Sequence, residues 1–320
     1  MGSIRSLCYH YVCQKNAQKV IKAKVCLFYL VAFSYNLNME INEDLKKIER
    51  SLQKKYRKEI WSKFMKAITI YELIEPDDKI AVCISGGKDS MLMAKCFDIL
   101  SRFTTIPFSV EYLVMNPGYQ RVNLELIKHN AQRLGIKINI KDAPIFDYVT
   151  TLEGGPCYLC ARMRRGYLYR YAKELGCNKI ALGHHFDDVI ETIVMNMFYA
   201  GEIKTMMPKL HATNFKGMQL IRPLYLVKEE DIIHWKNYNE LDFLNCACKF
   251  TEDLTYNPEK TSSKRKEIKA FIAEYKKINP WIDSNIFNSI SNVNLDKVIE
   301  YYSDDTGRVN FGQNYTKKDT

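Results

Sequence analysis

The sequence predicts an α/β fold: a parallel, twisted sheet with helices on both faces, extended by helical additions at the N- and C-terminal ends. Three observations predict it. Short apolar runs alternate with segments of helical periodicity between residues 80 and 224. Turn residues punctuate that alternation at Asn116-Pro117-Gly118, Gly135 and Gly176. The first apolar run, residues 80–84, passes through Ser85-Gly86-Gly87 straight into a helix, as a parallel strand does where it hands over to its crossover. With 320 residues, 47% of them hydrophobic, the chain has enough apolar side chain for a sizeable core, which excludes global disorder.

Residues 1–39 contain no Asp or Glu, and their apolar run, 25–33, is too short to cross a bilayer as a helix. They read as an extension upstream of a start at Met39, with a signal-like or organelle presequence as the alternatives. Residues 40–75 form an N-terminal helical segment in which Leu45, Ile48, Leu52, Ile60, Phe64 and Ile68 recur at near-helical spacing. Its Lys54, Lys55, Arg57 and Lys58 read as the solvated face of a packing helix pair in preference to an RNA-facing arm. Residues 76–250 form the α/β domain. After the turn at Pro76-Asp77-Asp78 come a strand at 80–84, a helix from Lys88 to about Leu100, a strand at 107–115, a helix at 121–134 and a strand at 136–140. Cys160 then opens a basic helix over 161–175 that carries Arg162, Arg164, Arg165 and Arg170. A fourth strand at 179–183, a helix at 189–199, a loop at 200–213, a strand at 218–224 and a helix at 227–241 complete the alternation. Residues 251–320 hold a basic helix at 264–277 and a polar tail from about Ser303.

Ligands of such sheets bind at the carboxyl ends of the strands, and two motifs stand there. The first is Ser85-Gly86-Gly87-Lys88-Asp89-Ser90. Paired glycines allow a sharp turn and close approach of backbone to ligand, and the helix that follows presents free N–H groups to an anion. Ser85 and Ser90 add hydroxyls and Lys88 a positive charge. Asp89 would repel a phosphate unless a cation lay between them, which points to Mg²⁺ on a polyphosphate. The second is Gly183-His184-His185-Phe186-Asp187-Asp188, with Glu191 three residues on. Asp188 and Glu191 share a helix face and suit Mg²⁺, although acids at a helix start also serve as caps. Val114 and Met115, at the end of the second strand, are candidates to line an adenine pocket. Arg164 and Arg165 are placed to meet phosphate of a nucleotide or of an RNA backbone, and a solvated basic face is an equal reading of the same helix.

Ten cysteines raise the question of disulfides, but Cys157-Tyr158-Leu159-Cys160 and Cys246-Ala247-Cys248 are tight clusters. In a nucleotide-using chain such clusters fit metal binding or redox chemistry in a reducing, cytoplasmic setting. From spacing alone the first pair is a redox dithiol, half a zinc site or part of an iron–sulfur ligand set. The net charge of +10, from 47 Lys and Arg against 37 Asp and Glu, suits a polyanionic partner such as RNA.

The loop Ser85–Ser90 resembles the pyrophosphate (PP) loop of the N-type ATP pyrophosphatases, of adenine nucleotide alpha hydrolase-like fold. The stretch from Cys157-Tyr-Leu-Cys-Ala-Arg-Met-Arg-Arg through Gly183-His-His-Phe-Asp-Asp to Asn196-Met-Phe-Tyr is similar to the tRNA 2-thiocytidine synthetase branch of that superfamily. The resemblance runs from about Trp61 to Lys277. It implies ATP, Mg²⁺ and a [4Fe-4S] cluster as cofactors, tRNA as substrate, a cysteine desulfurase or other sulfur donor as partner, a homodimer, and no membrane. Carried across by position, Ser85, Gly86, Gly87, Asp89 and Ser90 hold the nucleotide, and Met115, Arg164 and Gly183 are read from their own positions as further contacts to it. Lys88, Asp89, Asp188 and Cys157 act in catalysis, Asp188 on Mg²⁺. Cys157 and Cys160 ligate the cluster with Cys246, or with Cys248 instead, because the second pair here is Cys-Ala-Cys where the family tends to have C-x-x-C. The residues alone also fit a PP-loop amide or amidine ligase with zinc on its cysteines, or a non-enzymatic RNA-binding redox sensor.

Overall fold

A run of seven residues, Asp78–Ile84, forms the central strand β1 of the computed structural model, which describes residues 42–146, 156–244, 264–303, 307–310 and 312, and only the backbone of 156–158 and 161. The residues before 42 and both positions of the second cysteine pair lie outside the described residues. β1 is buried on both faces. Ile80, Val82 and Ile84 enter one hydrophobic cluster, and Ala81 and Cys83 enter another, as the two-residue period of a strand requires. Parallel β2 (Phe108–Asn116) pairs with β1 on one side and β3 (Ile138–Asp142) lies beyond it. On the other side come β4 (Lys179–Ala181), β6 (Gln219–Ile221) and an antiparallel edge strand, β5 (Lys209–His211).

The sheet order is therefore β3-β2-β1-β4-β6-β5, and the direction of winding reverses between β1 and β4. That reversal opens a crevice at the carboxyl ends of these two strands. Helices α2 (Lys88–Phe103), α3 (Arg121–Arg133), α5 (Phe186–Met195) and α6 (Glu229–Tyr238) contribute to the larger cluster on one face. Helix α4 (Pro156–Glu174) covers the other through Tyr169, Tyr171 and Ala172. The parallel sheet with helices on both faces is as expected.

The N-terminal segment is helical over 42–50, turns through two π-helical stretches, Ser51–Lys55 and Arg57–Trp61, and continues as α1 (Ser62–Ile70). Ile48, Leu52, Ile60, Phe64 and Ile68 are buried in the main cluster. Their spacing in multiples of four overshoots a 3.6-residue turn by about 40° each step, and the wider π turns absorb that drift. At the other end, α7 (Lys264–Ile278) packs on α5 through Ile268 and Ile272. A short helix, α8 (Ile282–Ser289), and a hairpin of β7 (Tyr301–Ser303) and β8 (Gly307–Val309) follow, so the tail is not uniformly irregular.

Three boundaries differ from expectation. β3 begins at Ile138 because Ile136 belongs to the end of α3. The Ile136 N–H donates to Ala131 O at 2.8 Å and the Gly135 N–H, at φ +68°, to Gln132 O at 3.0 Å, a Schellman closure with Ile136 as its apolar residue. Helix α4 already includes Pro156, so it does not open after Cys160. Cys157 and Cys160 therefore sit three apart in the first turns of that helix. β5 was expected as loop, since three residues after Pro208 are too short to show an alternation. Among the described residues no helix is long and apolar enough to cross a membrane.

Candidate active site

The turn after β1 is built by its own hydroxyls. Ser90 Oγ donates to Gly87 O at 2.9 Å and accepts from the Ser85 N–H at 3.1 Å. Ser85 Oγ lies 3.1 Å from Ser90 Oγ, and since Ser90 has spent its one hydrogen, Ser85 is the donor of that pair. Both hydroxyls shape the loop and also line the cavity described below, and the backbone N–H groups at the start of α2 are left to meet an anion: the N-cap, Gly87, makes no side-chain cap. Gly86 adopts φ +88°, and a Cβ there would stand 2.7 Å from Ile127 Cγ1 and 2.8 Å from Leu244 Cδ1. Any other residue there is strained by the positive φ and must displace these side chains.

A cavity of about 350 Å³ opens in the crevice between β1 and β4. Ser85, Asp89, Ser90, Met115, Arg164, Gly183 and Asp188 all line it. The sequence-derived nucleotide residues thus converge on one space, with Gly86 and Gly87 in the turn beneath. Gly183 is required for that convergence, because a Cβ on it would lie 3.0 Å from Ser90 N and 3.1 Å from Asp89 C. Arg164 reaches the cavity from α4 and donates from Nη2 to Tyr119 Oη at 3.1 Å, while Arg165 is exposed.

Electrostatics organise the polar side. Burial raises the pKa of Asp89, outweighing the lowering by His185 and Lys88, and its Oδ1 is buried without a hydrogen-bond partner. An unpartnered buried carboxylate oxygen lining this cavity suits a divalent cation. Among the described residues no three His, Cys, Asp or Glu side chains group as a metal site, so such a cation would draw its remaining ligands from phosphate oxygens and water. Asp188 has a capping duty as well: its Oδ2 accepts from the His185 N–H at 3.0 Å, and its own N–H donates to His185 Nδ1 at 3.4 Å. Its Oδ1 pairs with Arg265 of α7 at 3.1 Å, and the same Arg265 Nη1 bonds Glu191 at 2.9 Å.

Lys88 does not line the cavity. Its Nζ lies 3.2 Å from Asp89 Oδ2 and 3.0 Å from Glu229 Oε1. Burial lowers its pKa, but Asp89 and Glu229 more than reverse this and keep it charged. Glu229, a residue that the sequence did not single out, is also paired with Lys269 of α7. Burial raises its pKa, yet the hydrogen bonds from Lys269 and Lys88 prevail and hold it at about 2. Its backbone N–H is capped by Asp187 Oδ2 at 2.7 Å. The signal in the sequence was a run of acids at a helix start, which ordinarily only complements the helix dipole.

Of the sulfur ligands, Cys160 is buried on α4 beside Met115 and Phe146, one turn before Arg164. Nothing is described of the Cys157 side chain, and Cys246 and Cys248 lie outside the described residues. The chain leading to them is placed, however: the Leu244 N–H donates to Gly86 O at 3.1 Å.

The PP-loop domain family matches residues 42–257. A tRNA-cytidine(32) 2-sulfurtransferase of Burkholderia multivorans is 38% identical over 237 residues, covering 71% of this chain and 67% of that protein. Another, of Citrifermentans bemidjiense, is 32% identical over 234 residues, covering 71% and 88%. Among solved structures, the U34-tRNA thiolase NcsA from Methanococcus maripaludis with its [4Fe-4S] cluster is similar in fold, with a TM-score of 0.57 at 22% identity over 72% of this chain and 76% of that one. With loop, crevice and relatives in agreement, this chain belongs to the PP-loop family, in the branch of the tRNA 2-thiocytidine synthetases.

Proposed function

We propose that the chain is an ATP-dependent tRNA sulfurtransferase that replaces the C2 oxygen of a tRNA base, cytidine, by sulfur, releasing AMP and pyrophosphate. The observation that carries this reading is the cavity at the β1–β4 crevice, where the PP loop, Asp89, Asp188 and Arg164 meet with Cys160 one helical turn away. The base oxygen attacks the α-phosphorus of ATP, the α–β bridging bond breaks, and pyrophosphate leaves. The O-adenylated C2 is then an electrophile with AMP as leaving group, which a sulfide equivalent from a sulfur-donor protein displaces. The N–H groups at the start of α2 and the Arg164 guanidinium stabilise negative charge on the phosphates. Asp89 and Asp188 are the residues that would hold Mg²⁺, which supplies neutralisation of the leaving pyrophosphate.

An iron–sulfur cluster would be held by Cys157, Cys160 and Cys246 or Cys248, and would supply an open coordination position for sulfide. Two features fit it: Cys160 is shielded from solvent on the cavity-facing helix, and Leu244 brings the chain to the PP loop two residues before Cys246. ATP and tRNA are soluble, which suits a cytoplasmic enzyme.

The test is mass spectrometry of tRNA nucleosides from cells that lack this protein and contain either the parent chain or Lys88→Ala. The parent restores 2-thiocytidine, and Lys88→Ala lowers it at least tenfold. Undiminished 2-thiocytidine in the deletion strain overturns the proposal.

A further inference from the structure

We infer that a basic groove on the N-terminal helical segment, remote from the cavity, is a binding site for the phosphate backbone of the RNA substrate. The inference rests on the function proposed above. The groove, of about 540 Å³, is lined by Lys46, Lys47, Arg50, Lys54, Lys55 and Tyr238, with Glu43 as its one carboxylate. Lys46, Arg50 and Lys54 stand four apart and Lys47 and Lys55 eight apart, so two adjacent rows of one helical face carry all five cations. All five are exposed.

Their partners explain why the charge stays available. Lys47 approaches Glu240 only at 4.0 Å, and that carboxylate is 85% exposed. Among the described residues Lys46, Arg50, Lys54 and Lys55 make no ion pair. Lys55 is instead held over the ring of Tyr238, its Nζ 3.5 Å from the centroid, and Tyr238 is braced edge-on by Tyr56 at 5.9 Å. A cation–π contact positions an ammonium without neutralising it, whereas a carboxylate would do both. The groove is thus a concave, positively charged surface with one cation fixed in place, a form that complements regularly spaced phosphates.

The groove is also joined to the catalytic side. Helix α6 starts at Glu229, bonded to Lys88, and ends at Tyr238 in the groove. Nine residue steps at 1.5 Å put the groove about 14 Å along that helix from the PP-loop lysine. Charge complementarity favours RNA over an acidic protein, because the substrate of the proposed reaction is itself a polyanion large enough to reach both places.

The test compares three proteins for binding unmodified tRNA by fluorescence anisotropy across a salt series: the parent, the variant Arg50→Glu/Lys54→Glu/Lys55→Glu, and a control with the same change in net charge, Lys137→Glu/Lys216→Glu/Lys297→Glu. The groove variant is expected to bind at least tenfold more weakly near 150 mM salt, and its slope of log affinity against log salt to be shallower by about 2. The control is expected to change less than threefold. ATP binding and the thermal midpoint are measured for all three, and both are expected to stay at the parent's values. If the groove variant and the control bind tRNA alike, the proposal is overturned, the groove is left to an acidic protein surface, and the thiolation reading stands. If the parent itself does not bind tRNA, the proposed function fails and the groove proposal with it.

Discussion

His184 lines the cavity with its Nδ1 buried and without a hydrogen-bond partner. Burial lowers its pKa to about 4 from 6.5, with Asp188 working in the opposite direction. An unfolded chain therefore binds a proton at this residue between pH 6.5 and about 4 that the folded chain refuses. Stability is fully present above that window and falls as pH drops through it. With allowance for the ring's partial exposure, the loss between pH 7 and pH 5 is about 1–2 kcal/mol. Urea unfolding at the two pH values should show that loss in the parent and not in His184→Asn, and equal losses in both would refute the assignment. Such single residues mark the limit of what was legible. Asp89, Ser90 and Gly183 announce themselves by their places in a glycine-led motif at a helix start and just after a strand. The bond from Lys88 to Glu229 spans 141 positions, and nothing local in either segment indicates it.

Strand ends and helix starts make the site, and here small residues decide the spacing. Gly183 closes the segment after β4 against the first turn of α2, where an added Cβ would meet Ser90 N at 3.0 Å and Ser90 Cα at 3.1 Å. These are backbone atoms and cannot rotate away as a side chain could. Gly183→Ala must push the β4 end and the PP loop apart by a few tenths of an ångström, an overpacking cost of about 1–3 kcal/mol. Calorimetry should give ATP affinity reduced about tenfold, with a lower thermal midpoint; unchanged affinity would mean that the contact does not set the loop. The same scale shows where periodicity works and where caps override it. The run at 80–84 is a strand buried on both faces, which its apolar continuity reports. Ile136 is apolar too, yet it serves the end of α3. His185 caps α5, with Asp188 completing the reciprocal bond, so that helix starts three residues before its apolar pattern does. Apolar periodicity locates the middle of an element, whereas its ends are decided by hydrogen bonds of single side chains.

At the scale of the whole molecule, the order of elements was legible and the coupling between distant segments was not. Residues 40–75 and 76–250 read as successive units. The structure buries Ile48, Leu52, Ile60, Phe64, Ala67, Ile68, Leu73 and Ile74 in the cluster that also holds Ile80, Val82 and Phe97. The match to the PP-loop family likewise begins at residue 42. Lys95 of α2 reinforces the junction: its side chain has no exposed surface, and its Nζ bonds Glu49 and Asp98 at 2.8 Å and Leu134 O at 2.9 Å. A buried ammonium with these partners is tolerable, and one that loses Glu49 is not. Burying each of the seven larger apolar side chains is worth about 1.5–3 kcal/mol, so together they are comparable with the roughly 5–15 kcal/mol that holds a typical domain folded. A chain beginning at residue 76 should therefore lack fixed tertiary packing, although the whole PP loop is retained. Near-UV circular dichroism and urea unfolding would reveal it as a weak signal and a broad transition. A sharp transition at the parent's midpoint would show that the helical segment is an appendage, and that the sheet alone sustains the crevice in which ATP is proposed to bind.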